Sequence, residues 1–154
     1  MKTFEGVNWA ILKTVRVVAQ QYASFYHAQN SIGFDEISIT NGQNFEEIPH
    51  IFESAGFRES EELTDAGLKW KKEVVLKIPK LRKEVSDFLE NYAGRKLVLL
   101  ITDMNDESRL VYPMRMTRQH NIPGQATGLN ATDVRFYGES ITEAPTVTNL
   151  DVSP

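Results

Sequence analysis

Apolar side chains between Asn8 and Gln29 recur at helical spacing, through Ile11, Leu12, Val15, Val18, Ala19, Tyr22 and Tyr26. With Asn8 placed to cap the first turn, this pattern predicts a helix. The stretch also carries β-branched Thr14, Val15, Val17 and Val18, and Trp9, Ile11, Val15 and Val17 would line one face of a strand interrupted by Lys13. Strand therefore remains the alternative. Ser31-Ile32-Gly33 reads as a turn, Phe34 to Thr40 as a strand, and Asn41-Gly42 as a signal that ends or reverses it. From Gln43 to Asp65 the chain is acidic and loosely periodic, with Ile48, Ile51 and Phe52 as the expected anchors and Gly56 and Gly67 as punctuation.

The second half has a sharper rhythm. Trp70, Val74, Leu76 and Ile78 fall on one face of a strand and Lys71, Glu73 and Lys77 on the other, with Lys72 interrupting the apolar side. Pro79 stops that ladder. Leu81, Val85, Phe88, Leu89 and Tyr92 then form the apolar stripe of a helix over 80–92, ended by Ala93-Gly94. Leu97-Val98-Leu99-Leu100-Ile101 is a short continuous apolar run, the mark of a strand buried on both faces. Asp103-Met104-Asn105-Asp106 supplies a tight reversal, after which Leu110, Tyr112, Met114 and Met116 alternate with Arg109, Val111, Arg115 and Thr117 to complete a hairpin. Pro113 lacks an N–H and requires an edge, a bulge or a break there. A loop over 121–130 leads to a last strand through Val134, Phe136 and Gly138.

This order predicts one α+β domain over 1–144, mainly an antiparallel β-barrel or sandwich with a flanking helix, followed by a flexible tail over 145–154. The length of 154 residues fits a single core. A formal charge of -4 removes any net pull toward nucleic acid or anionic lipid. Zero cysteines exclude disulfides, thiolate nucleophiles and cysteine-ligated metals. Glu5 breaks the apolar core a secretion signal would need, and no apolar run reaches the roughly 20 residues that cross a bilayer. Asn130-Ala131-Thr132 is accordingly read as a chance glycosylation match.

No residue constellation carries convincing chemistry. Asp103, Asn105 and Glu107 alternate as calcium ligands do, yet the glycine and distal glutamate of such a loop are missing. His27, His50 and His120 form no close pair of metal ligands, and no serine sits in a strand-turn-helix glycine motif. Pro123 to Gly128 lacks the lysine of a phosphate loop, so Gly124 and Gly128 are read as serving backbone shape. The acids Glu46, Glu47, Glu53, Glu59, Glu61, Glu62 and Asp65 read as a solvated surface. The basic residues from Lys69 to Lys96 are spread over several faces and interleaved with acids, which argues against nucleic-acid recognition. No cofactor, metal or catalytic residue is expected.

The segments Lys71 to Pro79, the helix through Tyr92, Leu99-Leu100-Ile101-Thr102-Asp103-Met104-Asn105, and Asn121 to Gly128 followed by Val134 to Glu139 together resemble the later part of bacteriophage tail-tube-like structural proteins. The likeness covers residues 68–144 and consists of strand rhythm and loop signatures. It implies a barrel or sandwich flanked by a helix, assembled into rings that stack into a conduit for DNA; related tail-completion subunits share that shape. Such a chain would associate with itself and with other tail proteins, enclose DNA passively without reading it, and reside in the virion tail or, before assembly, in the cytoplasm of the bacterial host. Asn105, Arg109, Asn121, Gly124, Gln125, Gly128 and Asn130 are the candidate subunit contacts. The alternatives are a non-enzymatic protein-binding module using a sheet edge and the 121–130 loop, and a small hydrolase or metal-binding enzyme built on the acids of 46–65 with His50 or His120.

Overall fold

The structure, a computed structural model, describes residues 11–27, 34–40, 42–126, 128 and 130–147. In chain order the strands are β1 (Leu12–Ala19), β2 (Ala23–His27), β3 (Phe34–Ile39), β4 (Glu46–Glu47), β5 (Gly56–Thr64), β6 (Gly67–Pro79), β7 (Leu97–Asp103), β8 (Ser108–Asn121) and β9 (Ala131–Ser140). Among the described residues there is one α-helix, α1 (Lys83–Glu90), between β6 and β7. Seven strands form one antiparallel sheet in the order β4-β1-β7-β8-β9-β6-β5, and β2 pairs with β3 apart from it. Among the described residues the seven-stranded ladder does not close from β5 back to β4, so β4 and β5 are its edges and the architecture is a sandwich-like α+β fold.

β8 makes the fold double back. Its first part pairs with β7, from Thr102 opposite Ser108 to Leu97 opposite Met114, and its second part, Arg115 to Asn121, pairs with β9. Pro113 stands at the step between the two ladders, where its missing N–H breaks no hydrogen bond. The strand also changes faces there. Leu110 and Tyr112 belong to one apolar cluster, whereas Met114 and Met116 join the other with Val111. The expected single apolar face from Leu110 through Met116 is therefore corrected to two faces.

The main core lies between the two halves of the sheet. Val15 and Val17 of β1, Leu97, Leu99 and Ile101 of β7, Val74, Leu76 and Ile78 of β6, and Val134 and Phe136 of β9 are all buried in it. A second cluster covers the other face of β1 and β7, where Val18, Val98, Leu100 and Leu110 pack with Phe45 and Val147. β7 is thus apolar at every position from 97 to 101 because both of its faces are dry, each such side chain contributing about 1.5–3 kcal/mol.

Burial on both faces also explains the first correction. The helix expected from Asn8 to Gln29 is, over its described residues, β1, a 3₁₀ turn at Gln20–Tyr22, and β2. A register shift between Leu12 and Thr14 puts Leu12 into the same core as Val15, three residues away, while Val18 and Tyr22 serve the second cluster. Residues shared between two cores thereby imitate helical spacing, and the β-branched run decides for strand.

α1 is shorter than the 80–92 expected. Lys80 holds a positive φ of 60°, and its N–H donates to the Asn130 carbonyl before the helix begins. Val85, Leu89 and Tyr92 are buried, whereas Leu81 and Phe88 are only half-buried, which corrects the expected five-residue stripe. Phe88 packs edge-on against Tyr92 at 5.5 Å between ring centres. The Tyr92 hydroxyl donates to Glu46 Oε1 at 2.5 Å and ties the helix end to β4.

Burial, then the hydrogen bond and the charge of Glu46, push the Tyr92 phenol well above its ordinary range. As pH rises past about 10 the unfolded chain loses this proton first, so stability falls from that point until the folded phenol also ionises. Tyr92→Phe should cost about 1 kcal/mol at neutral pH and remove this alkaline loss, measured by urea unfolding between pH 8 and 11.

Two smaller expectations also change. Phe52 is 67% exposed and anchors nothing, although Ile48 is buried as expected. The chain stays packed through Val147: Leu110 N–H donates to the Pro145 carbonyl and Val147 N–H to the Ser108 carbonyl, so 144–147 runs beside the first part of β8. The rest of the expected tail, 148–154, lies outside the described residues, as does the Ser31-Ile32-Gly33 turn.

Candidate assembly surface

The seven candidate contacts fall into two groups at opposite ends of β8. Thirteen steps at about 3.3 Å each separate them by roughly 40 Å of strand path. At the first end, Asp103 Oδ1 accepts from the Asn105 and Glu107 N–H groups at 2.8 and 3.0 Å, and Asp106 takes a positive φ of 63°. The carboxylate is thus used inside its own turn, and Asn105 is exposed at the tip.

Arg109 acts within the chain. Its guanidinium donates to the Ala144 carbonyl at 3.1 Å and lies 4.0 Å from Glu59 Oε1, while Glu59 Oε2 accepts from the Ala144 N–H at 3.0 Å. β5, β8 and the segment 144–147 are pinned together by this arrangement. Arg109 is therefore a lock on the C-terminal segment, with half of its side chain left at the surface.

At the second end, Asn121 closes the β8–β9 ladder opposite Ala131. Asn130 is committed to the helix entrance, its carbonyl accepting from Lys80 and its Oδ1 from the Leu81 N–H. The Gly128 N–H donates to the Gln125 carbonyl at 2.9 Å, and a side chain on Gly128 would strike Pro123 Cγ at 2.3 Å. Gly124 uses a φ of +71°, so both glycines serve the loop's own shape. Ile122, Gly124 and Gln125 are exposed at its tip, with Ile122 68% open to solvent.

Sequence reasoning missed the hairpin of β5 and β6. β5 ends the seven-stranded sheet, pairing with β6 from Gly56 opposite Val75 to Thr64 opposite Gly67. Leu63 and Leu68 face each other at its tip and are 79% and 52% exposed; Ile141, just past β9, is 83% exposed. The alternation of β5 was masked because Glu59 and Glu61 occupy the face that Phe57 and Leu63 share. The Thr64-Asp65-Ala66-Gly67 reversal, with φ +118° at Gly67, was the available signal.

The remaining charges are mostly neutralised across the same sheet. Lys71 pairs with Glu62 at 2.9 Å, Arg135 with Glu73 at 2.7 Å, and Lys69 with Glu139 at 3.5 Å. A hydrogen bond from Lys71 lowers the Glu62 carboxyl and raises the Lys71 amine in return. Arg58, Lys96 and Arg115 border an open hollow of ≈ 610 Å³ on this face. Of the acids of 46–65, Glu46 meets Tyr92, Glu59 meets Arg109 and Glu62 meets Lys71, while His120 Nδ1 lies 2.9 Å from Thr132 Oγ1 at the loop end of the sheet. Among the described residues, no three of His, Asp or Glu gather around a common point, and no helix is long and apolar enough to cross a membrane.

Lys72 is buried on the inner side of β6, 3% exposed, with its ammonium 6.0 Å from the centre of the Tyr112 ring. Burial lowers its pKa, and Glu59 and Glu143 oppose that shift. The unfolded chain therefore binds the Lys72 proton more tightly, and stability rises with pH as the folded amine deprotonates ahead of the unfolded one. Lys72→Met should abolish this contribution, seen as a smaller gain in urea midpoint between pH 8 and 10 than the parent protein shows.

No protein-family model, no curated protein and no solved structure matches this chain.

Proposed function

We propose that this chain is a structural subunit of a phage or phage-derived tail, one that assembles with itself into rings or a tube around a passage. The observation that carries the reading is the placement of exposed apolar groups at both ends of the β5–β6–β9–β8 ladder. Ile122 stands at the loop end, and Leu63, Leu68 and Ile141 stand at the hairpin end. Unlike surfaces at opposite ends suit head-to-tail contacts, which propagate or close into rings. The likeness of residues 68–144 to tail-tube-like proteins adds the barrel-like packing of neighbouring sheets and a passive path for DNA, with other tail proteins as partners. In this reading the protein resides in the virion tail, or in the host cytoplasm before assembly, and performs no catalysis.

Electron microscopy of the concentrated protein tests this directly. The parent chain should give rings or short tubes with a central opening. Ile122→Asp combined with Gln125→Lys should leave the fold intact and abolish them, because both side chains are exposed and neither supports the loop. Unaltered assembly in that variant would remove the loop from the interface. A stable one-to-one complex with a single partner, without rings, would favour a protein-binding module that uses the β5 edge.

A further inference from the structure

We infer that free copies of this chain pair with each other along β5, edge to edge and antiparallel, about a two-fold axis at Ser60. Among the described residues nothing pairs with the outer edge of β5, a nine-residue strand, Gly56–Thr64, that ends the sheet and is paired with β6 on one side only. Such an edge is a template for another strand unless charge or shape blocks it.

The side chains of β5 select the partner. A continuous sheet with both inner faces on the same side requires opposed residues whose numbers sum to an even value. Centring on Ser60 places Arg58 opposite Glu62 of the second copy and Phe57 opposite its Leu63, each twice. It also uses the full strand, matching Gly56 to Thr64. Centring on Glu59 or Glu61 instead sets a glutamate against its own copy and loses both complementary pairs, a cross-strand repulsion.

The state of these residues within one copy fits the pairing. Arg58 is exposed and forms no ion pair among the described residues. Glu62 reaches Lys71 on one side and keeps 45% of its side chain exposed on the other. Leu63 is 79% exposed, and Phe57 is half-buried at the margin of the core. The unfavourable opposition is Glu59 with Glu61 of the second copy, which the axis likewise makes twice. Glu59 is drawn away from the edge by Arg109 and the Ala144 N–H, which weakens that repulsion.

An antiparallel pair points the two bodies in opposite directions, so it cannot itself propagate a head-to-tail tube. It shields the β5 edge and Leu63 while the chain is free. The inference stands apart from the tail reading, because it rests on register within β5 and not on the two ends of the ladder.

The chain contains no cysteine, so a single introduced thiol reports the pairing without interference. Ser60→Cys should form a covalent dimer under mild oxidation at least tenfold faster than Glu61→Cys, whose two copies would sit about 8 Å apart, beyond disulfide reach. In sedimentation, Arg58→Glu should weaken the dimer at least tenfold, and Glu62→Arg added to it should restore the affinity. Equal cross-linking at 60 and 61, or a dimer indifferent to Arg58→Glu, would overturn the inference. A cross-link at 60 without rings upholds the pair and fails the tail reading; rings without that cross-link do the reverse.

Discussion

Phe136→Ala is expected to lower the free energy of unfolding by about 3–5 kcal/mol, the range for emptying a large aromatic site that cannot collapse. Phe136 is fully buried, and on the sheet it lies opposite Val74 of β6 on one side and Met116 of β8 on the other. Its ring therefore fills the space where the β8–β9–β6 half of the sheet meets the β1–β7 half. Neither half can move inward, because the ladders on both sides of β9 hold the spacing. Phe88→Ala is the informative contrast. The helical stripe marks Phe88 as a core residue as well, but Phe88 is only half-buried and should cost about 1–2 kcal/mol. Urea midpoints of the two variants compared with the parent check this, and equal losses would mean that the main core is misplaced.

Gly138→Ala should be nearly as damaging, by about 3 kcal/mol or more, for the opposite reason. A methyl group at this position would lie 2.0 Å from the Pro113 carbonyl oxygen and 3.1 Å from its carbonyl carbon. Both are backbone atoms, so no side chain can swing aside. The step at Pro113, where β8 exchanges β7 for β9, depends on this close approach. Gly56→Ala provides the control, since its new methyl would meet only a Val75 side-chain atom at 3.9 Å, an ordinary contact. That variant should fold with a midpoint equal to or slightly above the parent's, while Gly138→Ala melts early or fails to fold. Similar midpoints for the two would contradict the partner exchange at Pro113.

The parts of the fold that were legible in the sequence are those with one buried face or two uniformly buried ones. β6 alternates, β7 is continuously apolar, and the Asp103 turn carries its own hydrogen-bond acceptor, so each announced its structure. β1 did not, because its apolar residues are divided between two clusters and its register shift near Leu12 breaks the period of two. β5 did not either, because Glu59 faces inward to meet Arg109 and the Ala144 backbone, a contact between residues 85 positions apart. Likewise, the position of Arg109 on β8 was visible, but its role was not, since both of its partners come from distant parts of the chain. Of the candidate contacts, Asn130 and Gly128 also support the loop, and they are exposed together with Asn105, Asn121, Gly124 and Gln125, whereas Arg109 is half-buried.

Self-association is the claim on which the functional account depends. Light scattering of the parent protein across a concentration series up to about 1 mM, with electron microscopy of the same samples, measures it most directly. The account predicts a mass that rises beyond a dimer with concentration, together with rings of uniform diameter and a central opening. A mass that stays at one or two copies throughout, with no rings in any sample, would contradict it.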